Sequence, residues 1–179
     1  MILSMKNMKK SLIVSVLLCL VTVLGAPASV SAKESNQPIK LSYGQNYENK
    51  ETGEYFRWID PAEKGMTTAG TVAKDFEFKI RYTVESSSFT IDSSSVSVDA
   101  TAWVENSVGD RQSGYSGHKY TVKLNRLLSS KSLQFDIGGT ESGTISGLKS
   151  GGSYTVEVIN NDYLSSGIYL VGYGSITNN

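Results

Sequence analysis

The sequence predicts an all-β protein, an antiparallel β-sandwich of about eight or nine short strands. Three observations predict it. The first is strict alternation over Asp75–Glu85. Phe76, Phe78, Ile80, Tyr82 and Val84 fall on one face, and Glu77, Lys79, Arg81, Thr83 and Glu85 on the other. Period two with charges outward is the pattern of a strand with one face on a core and one in water. The second is that shorter alternating runs recur along the chain with Gly- and Ser-rich turns between them. The third is composition: Ser, Thr, Gly and Tyr are abundant while Leu and Ala are sparse, a balance that favours strands over helices.

The elements follow in order. Residues 33–38 read as a polar, flexible leader to a single domain over 39–179. Ile39–Tyr43 and Tyr55–Ile59 are expected to pair across the polar Glu48–Gly53 segment. After Asp75–Glu85 comes a short strand at Phe89 and Ile91, then Val96–Val104, where Val96, Val98, Ala100, Ala102 and Val104 share a face. Tyr120, Val122 and Leu124 mark the next strand, and Leu133, Phe135 and Ile137 another. Asn125–Lys131 between them reads as a candidate helical turn. Ile145 and Leu148, then Tyr154, Val156 and Val158, precede a last strand over Ile168–Ile176. That strand leaves its inner face open: Tyr169, Val171 and Tyr173 compete with Ile168 and Ile176. Gly172 and Gly174 leave room there for a large neighbouring side chain. No internal repeat is present.

The N-terminal region reads as a cleaved export signal over residues 1–32. Lys6, Lys9 and Lys10 form a basic head, Ser11–Leu24 an apolar run, and Val30 and Ala32 the small residues at the −3 and −1 positions of a cleavage site. The apolar run is shorter than the roughly 20 residues a spanning helix needs. Cys19 lies inside that run, not at its end, so a lipid anchor is not expected. It is the only cysteine, so the mature chain would hold no thiol or disulfide. Small exported domains often depend on disulfides; this one must rely on core packing, a habit common among exported Gram-positive proteins. The whole chain has 17 basic and 17 acidic residues. Three lysines and no carboxylate leave with the signal, so the mature domain is net negative by three. Its Lys and Arg are scattered, and a nucleic-acid partner is not expected.

Residues 143–158 read Gly-Thr-Ile-Ser-Gly-Leu-Lys-Ser-Gly-Gly-Ser-Tyr-Thr-Val-Glu-Val. Leu148, the Gly-rich turn, Tyr154 and the alternating valines resemble the tyrosine corner of fibronectin type III and immunoglobulin-like domains, with Ser150 where a proline is usual. The resemblance implies an immunoglobulin-like sandwich whose Tyr hydroxyl bonds back to backbone, and it implies no activity. The order of elements is also similar to small exported Bacillus-type proteins of unknown role.

Recognisable catalytic chemistry is sparse. His118 is the only histidine and sits in a Gly-rich segment with Tyr115. A Ser–His–Asp site would have to use it, and no Gly-x-Ser-x-Gly elbow occurs. One His and no mature Cys do not make a zinc set. Asp92, Asp99, Asp110 and Asp162 are dispersed, Asn160–Asp162 being the best oxygen-rich turn for calcium. No Gly-rich phosphate loop is found, and no metal or cofactor is expected. A carboxylate pair for glycoside hydrolysis would be set by space and not by sequence; Glu77, Glu85, Asp99 and Glu105 point off the apolar faces.

The remaining chemistry is aromatic. The chain has ten Tyr and two Trp. Trp103 is out of phase with the Val96–Val104 face, and an aromatic ring off the core face can stack on a sugar or anchor a protein. Trp58, Trp103, Tyr115, Tyr169 and Tyr173 are the candidate binding residues, although Trp58 beside Phe56 also fits a core position. Ser86–Trp103 alternates apolar residues with Ser, Thr and Asp, the pattern of an amphipathic hairpin such as a pore-forming protein inserts. Three readings follow, in order of support. The first is a secreted, non-enzymatic binding or interaction protein with a glycan, matrix or protein partner. The second is a membrane-active pore former, and the third a small hydrolase using His118 or a carboxylate pair.

Overall fold

In the computed structural model the described residues are 39–40, 47–60 and 73–179. The expected signal, Cys19 and the leader lie outside them. Phe76 and Phe78 alternate with Glu77 and Lys79 because the chain there is extended, and the two phenyl rings are fully buried. The long strands repeat this rule, and the described residues form twelve strands in all. These are β1 Ile39–Lys40, β2 Tyr47–Asn49, β3 Glu54–Ile59, β4 Ala73–Ile80, β5 Thr83–Glu85 and β6 Phe89–Ile91. They continue with β7 Ser95–Asn106, β8 Lys119–Arg126, β9 Ser129–Asp136, β10 Thr140–Ser146, β11 Gly152–Asn160 and β12 Ile168–Asn178. No helix occurs among the described residues.

The strands form two six-stranded sheets. Sheet I has the order β10-β7-β12-β4-β3-β2, and sheet II the order β1-β5-β11-β8-β9, with β6 also pairing β11. Every pairing is antiparallel except β1 with β5. Both sheets turn their apolar faces into one core, so the architecture is a β-sandwich. Residues 36–179 form a compact unit by themselves.

The strands number twelve among the described residues, not the eight or nine expected, and four further expectations change. Asp75–Glu85 is not one strand: β4 ends at Ile80 in sheet I and β5 begins at Thr83 in sheet II. The crossing is held by polar groups. Arg81 N–H donates to Glu54 Oε1 at 2.8 Å, and Asn160 Nδ2 donates to the Arg81 carbonyl at 2.8 Å. Periodicity cannot reveal such a break, because Val84 keeps the parity of Ile80. Second, β3 pairs with β2 across the 50–53 turn, whereas Ile39 pairs with Val84 of β5. Third, Asn125–Lys131 is a hairpin, not a helical turn: Arg126 faces Ser129 across a two-residue loop. Fourth, β6 and β7 do not form a hairpin with each other. β6 pairs β11 in sheet II, and β7 pairs β10 and β12 in sheet I.

The open question on β12 is also answered. Leu170, Gly172, Gly174 and Ile176 face the core. Gly172 lies across from Phe78 and Gly174 across from Phe76. A Cβ on either glycine would come within 2.6 Å of the Cζ of the facing phenylalanine. The glycines therefore make room for the stacked rings of Phe56, Phe76 and Phe78. Ala100 and Ala102 flank the same glycines from β7.

At the edge of sheet II, Glu85 faces Glu157 and Phe89 faces Tyr154, so Ser86, Ser87 and Ser88 lie opposite only Val156 and Thr155. This is a β-bulge. Ser86 repairs the ladder: its N–H donates to the Val156 carbonyl at 2.7 Å, and its hydroxyl accepts from Val156 N–H at 2.8 Å.

Candidate binding face

The strand parity that sends phenylalanines inward sends a different set of side chains out through sheet I. Across β3, β4, β12 and β7 one row reads Tyr55, Lys79, Val171, Trp103. The adjacent row reads Arg57, Glu77, Tyr173, Thr101. Tyr169 lies across from Glu105 on the same face. Neighbouring strands are about 4.8 Å apart, so such rows set these side chains next to one another on one platform.

The rings on this platform are organised by charge. Trp103 and Tyr173 meet edge to face with centroids 6.1 Å apart. The Arg111 guanidinium stands 4.3 Å over the Trp103 ring, Lys79 Nζ 4.8 Å over Tyr169, and the Arg57 guanidinium 4.4 Å over Tyr55. Each cation sits on the negative face of a π system. Trp103 Nε1–H donates to Glu105 Oε1 at 2.5 Å, and Arg57 bridges to Glu77 at 3.3 Å. Burial, aided by the Glu77 charge, raises the Tyr55 phenol above its usual range, so it remains a donor. Tyr173 is 48 % exposed, while Tyr169 is buried beneath its neighbours.

Three of the five candidate residues, Trp103, Tyr169 and Tyr173, thus share one face. The other two lie elsewhere. Trp58 points into the sandwich and packs edge-on against Phe56 and Phe89. Tyr115 packs on the core from the β7–β8 connection, with its ring 5.5 Å from that of His118. Sequence reasoning missed Tyr55, Arg57, Lys79 and Arg111 as members of the platform. The first three carried a signal, since each alternates with an inward Phe; Arg111 carried none, because it arrives through an isolated bridge to Glu105.

Two polar clusters lie away from this face. His118 Nδ1 is 2.8 Å from Asp162 Oδ2, and no serine hydroxyl among the described residues hydrogen-bonds the ring. On the outer face of sheet II, Glu157 takes hydrogen bonds from Lys123 at 2.9 Å, Asn125 at 2.8 Å and Thr83 at 3.4 Å. Burial pushes this carboxyl up, but Asn125, Lys123 and Thr83 outweigh it and hold it below the usual range. Its cross-strand neighbour Glu85 accepts from Thr155 and from the same Asn125 amide. A cavity of about 320 Å³ lies beside Glu85, between Ser88, Arg126 and Thr155. No group of three or more His, Cys, Asp or Glu among the described residues is placed to hold a metal ion. No helix among them is long and apolar enough to cross a membrane.

In comparison with known proteins, the chain matches no protein-family model and no curated sequence.

Proposed function

We propose that this chain is exported and acts outside the cell as a non-enzymatic binding protein, with the outer face of β3, β4, β12 and β7 as its ligand surface and a glycan as its ligand. One observation carries the reading: Trp103, Tyr173 and Tyr55 converge on the outer face of sheet I, with Tyr169 packed beneath Lys79 beside them, although the core already holds its own aromatic stack. Rings interleaved with Arg, Lys, Glu and Thr suit a sugar chain. The C–H face of a sugar lies on a ring, and its hydroxyls reach the charged heads and the Thr101 hydroxyl.

The finer fold reading, an immunoglobulin-like sandwich, is part of this proposal. Its support is the corner at Tyr154, whose hydroxyl accepts from Lys149 N–H at 2.7 Å. β12 departs from that fold's pattern: it lies in sheet I, away from β11, whereas in an immunoglobulin-like domain the last strand shares a sheet with the strand that carries the corner Tyr, so the likeness rests on the corner alone. Export is supported by the basic head, apolar run and small residues of positions 1–32.

Titration of the protein with soluble wall and matrix polysaccharides, read by isothermal titration calorimetry, tests the site. Trp103→Ala and Tyr173→Ala are each expected to weaken binding about tenfold or more, as loss of an anchoring ring does. Trp58→Phe, away from the platform, should leave affinity unchanged. Absence of binding to every glycan tried would sink the proposal.

A further inference from the structure

The loop joining β8 to β9 is the pair Leu127–Leu128. These side chains are 94 % and 96 % exposed. Two-residue hairpin loops favour Asn, Asp and Gly, which tolerate the positive φ such turns need. A leucine pair offers neither that turn chemistry nor any packing at this position. A local rule broken with no structural return marks a functional position.

The surroundings point to the partner. The Arg126 guanidinium lies over Gly152, 3.4 Å from where a Cβ would stand, and Lys131 Nζ lies 3.8 Å from the same point on Gly147. Lys149 belongs to the same turn, its carbonyl accepting from Gly152 N–H. None of these three cations makes an ion pair among the described residues, whereas Arg57, Lys119 and Lys123 all do. Glu85, in the cavity behind the tip, is turned to Asn125 and Thr155. This end of the sandwich therefore presents an apolar knob with Arg126 beside it and Lys131 and Lys149 on the neighbouring strand and turn, none of the three in an ion pair among the described residues. Its ladder is complete to the Arg126–Ser129 pair, so the knob is held ready and docking orders little new chain.

We infer that the β8–β9 tip docks on an anionic lipid surface. Leu127 and Leu128 enter the boundary between headgroups and acyl chains, and Arg126, Lys131 and Lys149 lie against lipid phosphates. The site is separate from the platform on sheet I, so the two proposals stand or fall separately.

Vesicle co-sedimentation tests it, using the chain from Lys33 onward, which holds all twelve strands and the described core. Vesicles of phosphatidylcholine with phosphatidylglycerol should retain the protein, those of phosphatidylcholine alone should retain less, and added salt should release it. Leu127→Asn with Leu128→Gly supplies good turn residues, so the thermal midpoint should hold or rise while vesicle affinity falls about tenfold or more. Lys131→Gln with Lys149→Gln should lower affinity for the anionic vesicles roughly tenfold. Trp103→Ala should leave vesicle binding intact. Failure of the parent chain to sediment, or equal binding by the leucine double variant, overturns the inference. So does a tip that holds two copies together in light scattering but ignores vesicles.

Discussion

The indole N–H of Trp58, on β3 of sheet I, donates to the hydroxyl of Ser87, in the bulge of sheet II, at 3.0 Å. This hydrogen bond crosses the sandwich. Ser87 is almost fully buried, yet it follows Ser86 in a run that reads as a solvent turn. The bulge supplies the extra residue that turns Ser87 inward. Ser87→Ala should cost about 1–2 kcal/mol of unfolding free energy, the usual range for losing one partner of a buried hydrogen bond. Urea unfolding measures it. Ser88→Ala, on a less buried neighbour, should stay within about 0.5 kcal/mol of the parent.

Tyr120 gives the opposite expectation. Its side chain is fully buried between Phe78 and Phe135, and its hydroxyl has no hydrogen-bond partner among the described residues. Burial, with the nearby Glu141 charge, drives its phenol far above the usual range. Tyr120→Phe keeps the ring and removes the stranded polar atom. It should leave stability unchanged or raise it by up to about 1 kcal/mol. A clear fall in the thermal midpoint would show that the hydroxyl has a partner after all.

Gly172 is needed for lack of a side chain, not for an unusual backbone angle. A Cβ there would stand 2.3 Å from the Thr101 carbonyl oxygen and 2.6 Å from Phe78 Cζ. The backbone contact cannot be relieved by a rotamer change. Gly172→Ala should therefore destabilise by about 1–3 kcal/mol or more. Gly109→Ala is a useful contrast. Its methyl would meet open space, and only the cost of φ +92° would remain.

Glu157 makes stability depend on acid pH. Its folded-state carboxyl is held below the usual value, so the unfolded chain binds the proton more readily. The stabilisation is present above the ordinary carboxylate range and is lost as pH falls through the lowered value. Glu157→Gln should flatten the acid limb of a stability–pH curve. Lys123→Met, which removes one of its donors, should shift that limb to higher pH. Thermal melts across the acid range read both.

Much of the core was legible in the sequence, and the reason is local. Alternation is a property of an extended chain by itself, so the inward positions Phe76 and Phe78, Val96 to Val104, and Tyr154 to Val158 could be named without a partner strand. The off-phase position of Trp103 was legible for the same reason. Trp58 and Tyr115 were not separable from surface rings, since half-buried aromatics at a core edge have the same sequence context as exposed ones.

The sequence by itself determined that the chain is built of strands, the inward faces of the long ones and the outward turn of Trp103, but not the number of strands. Only the tertiary structure decided which sheet each strand joins. It broke Asp75–Glu85 between two sheets, separated β6 from β7 and chose the Leu170–Ile176 face of β12. It also turned Ser87 toward Trp58 and gathered Tyr55, Trp103, Tyr169 and Tyr173 on one platform. The physical reason is that a side chain's parity is set by its own backbone. Strand partners are set by contacts between residues far apart in the chain, where Phe76 and Phe78 find Gly174 and Gly172 only once both sheets are formed.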